Sequence, residues 1–456
     1  MSEREEKMVE GRGMKHAKII IVVCLFFILG VTVGLGRFHK VSALSNPTYE
    51  DLRVFADVLS LLQKEYVEET KSKDLIYGAI KGMLETLDPH SAFLPPPMFK
   101  EMQEETKGRF EGLGIEITIR DGVLTVVSPI EDTPAHRAGI QAGDQILRID
   151  GELTKNLSLM DAVKRMRGPK GTKVTLTIMR EGFPKPREFT LVRDVIPIRS
   201  VRYEVLEKQY GYIRLSQFQE KTDAEFQKAI KAIEEETKGN LKGLILDLRN
   251  NPGGLLDQAV KVADRFLESG LIVSIEGRRE EQKMKFHAQP QDDSLARYPL
   301  VVLVNGGSAS GAEIVAGAIQ DHGRGIILGT QTFGKGSVQT IFSLKDGSGL
   351  RLTTARYYTP NGRSIQAKGI VPDIVVKPSP PDEEKTAPTP PPRMPSEKDL
   401  ERHLIDVKEK ERQEKEKPKP EAKEKEKRPP DAQLERALEL LKSWEIFKNI
   451  ATKKSG

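Results

Sequence analysis

Two residues stand out for the chemistry they can do together, Ser310 and Lys335. Ser310 lies in Ser308-Ala309-Ser310-Gly311, and Lys335 is framed by glycines in Gly334-Lys335-Gly336. A serine hydroxyl is a weak nucleophile until a base takes its proton. A lysine is such a base only when neutral, a state favoured by burial or a neighbouring positive dipole. Glycines on both sides let the side chain enter a tight apolar site. The residue types therefore point to nucleophilic catalysis by a Ser/Lys pair. Two competing chemistries fit less well. No GxSxG pattern surrounds Ser310, and His322, beside Asp321, has no spacing that sets it against the serine. Gly329–Gly336 contains the GxxxxGK of a phosphate-binding loop, but Gly336 stands where Ser or Thr should hold magnesium, and the following SVQTIF reads as extended.

The elements that position these residues read as alternating strands and helices. Leu300–Val304 is an unbroken apolar run, the pattern of a buried strand. Asn305-Gly306-Gly307 ends it, and Ala312–Gln320 has helical spacing. The serine is thus expected on a tight turn at a helix N-terminus, where free N–H groups and a partial positive charge collect. Ile326–Gly329 reads as the next strand. Upstream, Tyr210–Phe218 and Gly243–Leu248 read as strands, and Asp223–Glu236 and Leu255–Leu267 as helices. Arg249-Asn250-Asn251-Pro252-Gly253-Gly254 forms a second glycine-rich strand-to-helix turn. This alternation predicts a largely parallel sheet with functional loops at its strand ends. Gly349–Thr359 adds a last strand.

The flanking regions differ in character. Residues 1–16 carry basic residues before the apolar run Ala17–Gly36, which has about the length that spans a bilayer. Arg4, Lys7, Arg12, Lys15 and Lys18 against Arg37 and Lys40 place the N-terminus in the cytoplasm and the rest outside it. The expected localisation is periplasmic or otherwise extracytoplasmic, with 17–36 as anchor; Val41-Ser42-Ala43 also resembles a cleavage site for a removable signal. Residues 47–107 read as helices, broken at Asp88-Pro89-His90 and at Pro95-Pro96-Pro97, and His90 reads as a structural turn residue. Residues 379–430, rich in Pro, Glu and Lys, read as a disordered linker. Residues 431–452 form an amphipathic helix with Leu434, Leu438, Leu441 and Phe447 in register, suited to docking on the chain itself or on a partner.

The net charge of +5 comes from interleaved acids and bases, which gives no reason to expect nucleic-acid binding. One cysteine, Cys24, excludes a disulfide framework and a cysteine metal site. No metal and no organic cofactor is expected.

Two resemblances follow. Over 108–195, the loop Gly112-Leu113-Gly114-Ile115, the segment SPIEDTPAHRAGIQAGDQILRIDG (Ser128–Gly151) and the helix SLMDAVKRMRG (Ser158–Gly168) resemble a PDZ domain. That resemblance implies a peptide site at Gly112, Leu113, Gly114 and Ile115, where backbone N–H groups hold a terminal carboxylate and a strand edge takes an extended peptide. Second, NGGSASGAEIVAGAIQD (Asn305–Asp321), GTQTFGKGSVQ (Gly329–Gln339), DLRNNPGGLL (Asp247–Leu256) and LDPHSAFL (Leu87–Leu94), together with the PDZ region, resemble the carboxyl-terminal processing proteases, or tail-specific proteases. The implied fold is α+β and multidomain. It comprises an N-terminal helical region, a PDZ β-domain inserted before a crotonase-like α/β protease core over 196–378, and a disordered charged tail. The implied activity is a serine endopeptidase that binds protein C-termini and cleaves near them through an acyl-enzyme. Ser310 is then the nucleophile, Lys335 the base and Gln339 the residue that orients the lysine, with the oxyanion held by N–H groups of Gly311 and of Gly253 or Gly254. Four residues of strand span about 13 Å at a rise of about 3.3 Å, so Gln339 orients Lys335 only if the chain bends at Gly336 or the long lysine side chain reaches along it. The helices and tail are candidate contacts for a homo-oligomer or a regulatory protein. The alternatives are a non-catalytic, membrane-tethered PDZ scaffold and a crotonase-like acyl-CoA enzyme.

Overall fold

The computed structural model describes residues 46–120, 122–155, 157–290, 295–378, 396–400 and 431–454. It divides into two units, with the boundary after Ala79. The described part of the first unit is helical, with Asn46–Glu65 followed by the start of Ser72–Glu85. Leu52, Phe55, Val58 and Leu62 on the first helix are all exposed, as is Tyr66 just after it. Residues 1–16 and the expected span 17–36 lie outside the described residues. Among the described residues, no helix is long and apolar enough to cross a membrane.

The centre of the larger unit is a six-stranded sheet that keeps the order of the sequence: Val201–Leu206, Tyr210–Leu215, Gly243–Asp247, Leu300–Val304, Ile326–Gly329, Ile374–Val375. The first pair is antiparallel and every later pair parallel. Parallel crossovers share one hand, so strands added in one direction send their helices to one face. Thr222–Glu236, Leu256–Asp264 and Gly311–Asp321 lie there, burying Phe226, Ile233, Val262, Val315 and Ile319 with Leu244, Leu246, Val302 and Val304. That leaves the opposite face of Ile245, Val301, Leu303 and Leu328 uncovered by any crossover. The C-terminal helix Ala432–Lys454 covers it with Ala437 and Leu441 fully buried and Leu434 and Leu438 beside them. The amphipathic helix therefore docks within its own chain.

A second sheet forms around the long strand Gly349–Tyr358. Ser337–Ser343 pairs along one edge, while Ala92–Leu94 and Leu271–Gly277 share the other. The LDPHSAFL motif is thereby built into the core. The Pro95–Pro97 run opens a helix, Pro96–Lys107, rather than ending one, because proline fits the first helical position where no N–H is needed.

The insert has its own sheet, in the order Ile115–Arg120, Val123–Pro129, Gln145–Ile149, Lys173–Met179, Arg187–Val192, with the helix Leu159–Met166 packed on it. Leu124, Val126, Ile146, Leu176 and Ile178 form a separate core. Its two ends pair with each other, Arg109–Gly112 against Asp194–Pro197, so the insert leaves the core where it enters. The tail reading needs one correction. Within 379–430, Glu397–Asp399 form a 3-10 turn and Glu397 is fully buried.

Candidate active site

Strand Leu300–Val304 ends at a turn in which almost every polar atom is committed. Ser308 Oγ donates to the Leu248 carbonyl at 2.7 Å and accepts from the Asn305 N–H at 3.0 Å. The Ala309 N–H donates to the Asn251 carbonyl. Ser310 then takes φ +53° and ψ −114°, a conformation an L-residue holds only at a cost of about 1–3 kcal/mol when its surroundings over-determine it. Helix Gly311–Asp321 begins immediately after it.

Glu313, fully buried, joins this turn to the lysine loop. One carboxylate oxygen accepts from the N–H groups of Ser310 and Lys335 at 2.8 and 2.9 Å. The other accepts from the Gly334 N–H and Thr332 Oγ1 at 2.8 and 2.5 Å. Burial pushes the Glu313 carboxyl up to about 7, against the pull of these four donors. Ser310 and Lys335, 25 residues apart, are thus bonded through their backbones to one side chain. The glycine frame has a local reason too: a Cβ at Gly336 would lie 2.6 Å from the Gln366 nitrogen.

Lys335 is held below its ordinary value, first by burial and then by the Arg351 charge, while Glu397, Glu313 and Asp88 pull it the other way. Tyr357 touches both halves of the pair: its hydroxyl donates to the Lys335 carbonyl and lies against the Ser310 side chain. No hydrogen bond among the described residues joins Ser310 Oγ to Lys335 Nζ.

Gln339 lies on the strand that follows Lys335. The strand starts only at Ser337, and its pairing shifts register between Val338 and Gln339. Gln339 Nε2 donates to Thr353 Oγ1 at 2.8 Å and to Ser337 Oγ at 3.2 Å, whereas its Oε1 is buried with no partner among the described residues. Thr353 Oγ1 donates onward to Asp88 at 3.0 Å. Burial works to raise the Asp88 carboxyl, but the Ser91 hydroxyl, the His90 and Ser91 N–H groups and Thr353 hold it below the usual range. The LDPHS turn therefore supports Gln339 from behind. His90 is structural, its Nε2 lying 2.8 Å from both oxygens of Glu397. His322 bonds the Leu271 carbonyl.

The glycine turn packs against the serine. A Cβ on Gly253 would lie 2.7 Å from Ser310 Cβ and 2.8 Å from the Gly311 nitrogen, and one on Gly254 would lie 2.1 Å from the Phe218 oxygen. Of the two alternatives Gly253 and Gly254, the Gly253 N–H donates to Asn251 Oδ1 at 2.9 Å. The N–H groups of Gly311 and Gly254 make no hydrogen bond among the described residues. At the insert, Gly114 has φ +76°, and a Cβ there would lie 2.4 Å from Thr133. Gly112 and Leu113 are buried, and Ile115 begins an edge strand flanked by Leu159–Met166. Among the described residues, no group of three or more His, Cys, Asp or Glu could hold a metal.

Sequence reasoning passed over Glu313, Tyr357, Arg351, Asn251 and Asp88. Only Glu313 had a local signal, since Ser310-x-x-Glu313 has the spacing of a capping box.

Comparison with known proteins agrees with this architecture. Residues 209–376 match the model of peptidase family S41, residues 101–179 that of the PDZ domain, and residues 36–96 that of the activating protease CtpB N-terminal domain. The carboxy-terminal-processing protease of Bartonella bacilliformis is 49% identical over 358 residues, covering 77% of this chain and 82% of its own. The carboxyl-terminal-processing protease of Synechocystis is 41% identical over 326 residues, 70% of this chain and 75% of its own. The carboxy-terminal processing protease CtpA of Bacillus subtilis is 37% identical over 345 residues, 75% of this chain and 70% of its own. The chain belongs to the carboxy-terminal-processing proteases of peptidase family S41, serine proteases whose fold carries an inserted PDZ domain.

Proposed function

We propose that the enzyme captures protein C-termini at Gly112–Ile115 and cleaves near them with a Ser310/Lys335 dyad. The observation that carries this reading is Glu313, whose carboxylate bonds the backbones of both residues at once. Neutral Lys335 takes the Ser310 proton as Oγ attacks the scissile carbonyl. The N–H groups of Gly311 and Gly254 receive the oxyanion, and Gly253 joins them only by leaving Asn251. The lysine ammonium then protonates the departing amine. Water, deprotonated by the same lysine, hydrolyses the acyl-enzyme. Side-chain contact between Ser310 and Lys335 tightens when substrate binds, as catalytic hydrogen bonds commonly do. Gln339 Oε1, buried and without a partner among the described residues, is the acceptor that aims the lysine ammonium.

In the insert, the edge strand Ile115–Arg120 takes the substrate tail as an added strand, with Ile115 and Ile117 contributing apolar contacts. The basic-then-apolar N-terminus exports the enzyme and anchors it at 17–36, which places substrates outside the cytoplasm. The exposed apolar face of Asn46–Glu65 is a candidate contact for a second copy or a regulatory protein.

The test is cleavage of an unfolded reporter by the full chain in detergent, against Ser310→Ala, with and without a free apolar C-terminus on the reporter. Cleavage that needs both Ser310 and the tail is the expected result. Cleavage that ignores the tail would remove recognition from the Gly112–Ile115 loop. An enzyme inert to a serine-directed phosphonate would leave the non-catalytic scaffold in its place.

A further inference from the structure

The chain returns to the active site after residue 378, at a place where its composition gives no reason for burial. Glu397 stands between Ser396 and Lys398 in a stretch dominated by charged residues and proline, yet it is fully buried. A buried carboxylate is costly unless it is paired and hydrogen-bonded. Here both needs are met by the core. His90 Nε2 lies 2.8 Å from each oxygen, and Gln366 Nε2 donates to Oε1 at 2.8 Å.

The contacts converge on the catalytic lysine from both sides. The Glu397 N–H donates to the Phe333 carbonyl at 3.0 Å, two residues before Lys335. Gln366, held by Glu397, accepts the Gly336 N–H through its Oε1 at 3.0 Å, one residue after Lys335. Ser396 closes the turn by donating from its N–H and its hydroxyl to Asp399 at 2.7 and 2.6 Å. His90 belongs to the LDPHS turn, and its carbonyl accepts from Arg351 Nε at 3.0 Å. One side chain thus ties together the tail, the lysine loop and the turn behind Gln339.

We propose that Ser396–Leu400 is a strap forming part of the active-site wall, and that Glu397 is a positioning residue that holds the Phe333–Gly336 loop, and with it Lys335, in the geometry for proton transfer. The inference rests on Lys335 being the base. The charged and titratable groups facing Lys335 are Arg351, Glu313, Asp88, Glu397 and the Tyr357 phenol, with His90 beyond Glu397. The Glu397 anion favours the protonated lysine. Its removal therefore moves the acid limb of the kcat profile to lower pH, even as lost positioning lowers the plateau.

The experiment compares Glu397→Gln and Gln366→Leu with wild type in the full chain. Active sites are titrated with a serine-directed phosphonate, and kcat and KM are measured for reporter cleavage across pH. Glu397→Gln is expected to lower plateau kcat per titrated site at least tenfold, leave KM within about twofold, and shift the acid limb to lower pH. Gln366→Leu, which breaks the relay to Gly336 and keeps the anion, is expected to lower kcat with the limb in place. A plateau kcat per titrated site within twofold of wild type and an unmoved limb in Glu397→Gln would overturn the proposal, whatever happens to the melting temperature. If Glu397→Gln fails to fold, unchanged kcat in Gln366→Leu overturns it instead. Failure of the dyad reading is seen separately, as a wild-type enzyme that takes no phosphonate.

Discussion

At the serine turn the left-handed backbone falls on Ser310 itself, at φ +53°, whereas at the loop before the insert's edge strand it falls on Gly114, at φ +76°. The first turn forces a side chain into a conformation that side chains avoid. It holds that conformation with Glu313 on the Ser310 nitrogen, Asn251 under Ala309 and Leu248 under Ser308. The second turn avoids the strain by carrying no side chain, and Thr133 packs into the space a Cβ would need. A nucleophile must arrive at one place in one orientation, so its strain is balanced by a rigid network. On the proposed reading the Gly112–Ile115 loop holds a C-terminus with a run of N–H groups and an open edge, for which glycine suffices. On that reading a positive-φ turn serves catalysis when its network is closed and recognition when it is left open.

The comparison can be broken most severely at the base. Lys335→Ala should cut reporter cleavage by at least about a thousandfold, within the range general bases supply, with circular dichroism unchanged; undiminished cleavage would sink the dyad. Next comes the network itself. Glu313→Ala strands the N–H groups of Ser310, Gly334 and Lys335, each a loss of about 1–3 kcal/mol when buried. It should lower both the melting temperature and kcat, the latter about a hundredfold. A variant with normal kcat would show that the serine conformation does not need its carboxylate.

At the other turn, Gly114→Ala forces an alanine to positive φ, a penalty of about 1–2 kcal/mol, before its clash with Thr133. The preference for reporters with a free apolar C-terminus should drop about tenfold while hydrolysis of a short tail-independent peptide stays unchanged. Loss of both activities would mean the two turns are not separable. The smallest effect is a displacement of pH dependence. Burial and Arg351 keep Lys335 below the ordinary 10.5 of a lysine, and on the proposed mechanism the neutral form is the active one. Activity should therefore be present above that lowered value and lost as pH falls through it. A limb at the ordinary lysine position would contradict a desolvated base.

Much of the site was legible because it rests on local rules. The apolar run Leu300–Val304, the small residues around Ser310 and the periodic helix after it determine a strand, a turn and a helix, and those three place a serine at free N–H groups. The glycines around Lys335 likewise mark a backbone that must pass close to something. What that something was could not be read. Gln366 under Gly336, Tyr357 against Ser310, Arg351 beside Lys335 and Thr353 behind Gln339 all come from pairing with Gly349–Tyr358 or from the loop after it. The sequence alone left Gly253 and Gly254 as equal alternatives for an oxyanion donor, because a glycine N–H looks free until Asn251 Oδ1 is seen to accept that of Gly253. The C-terminal helix was legible as amphipathic, but its partner was a consequence of topology: one-handed crossovers cover one face of the sheet, and the tail covers the other. Composition along Pro395–Leu400 points to solvent, and only the tertiary structure buries Glu397, since a carboxylate leaves water when distant residues supply its hydrogen bonds. Local pattern decides where a chain turns and which face it buries, whereas hydrogen-bond partners hundreds of residues apart exist only once the fold has brought them together.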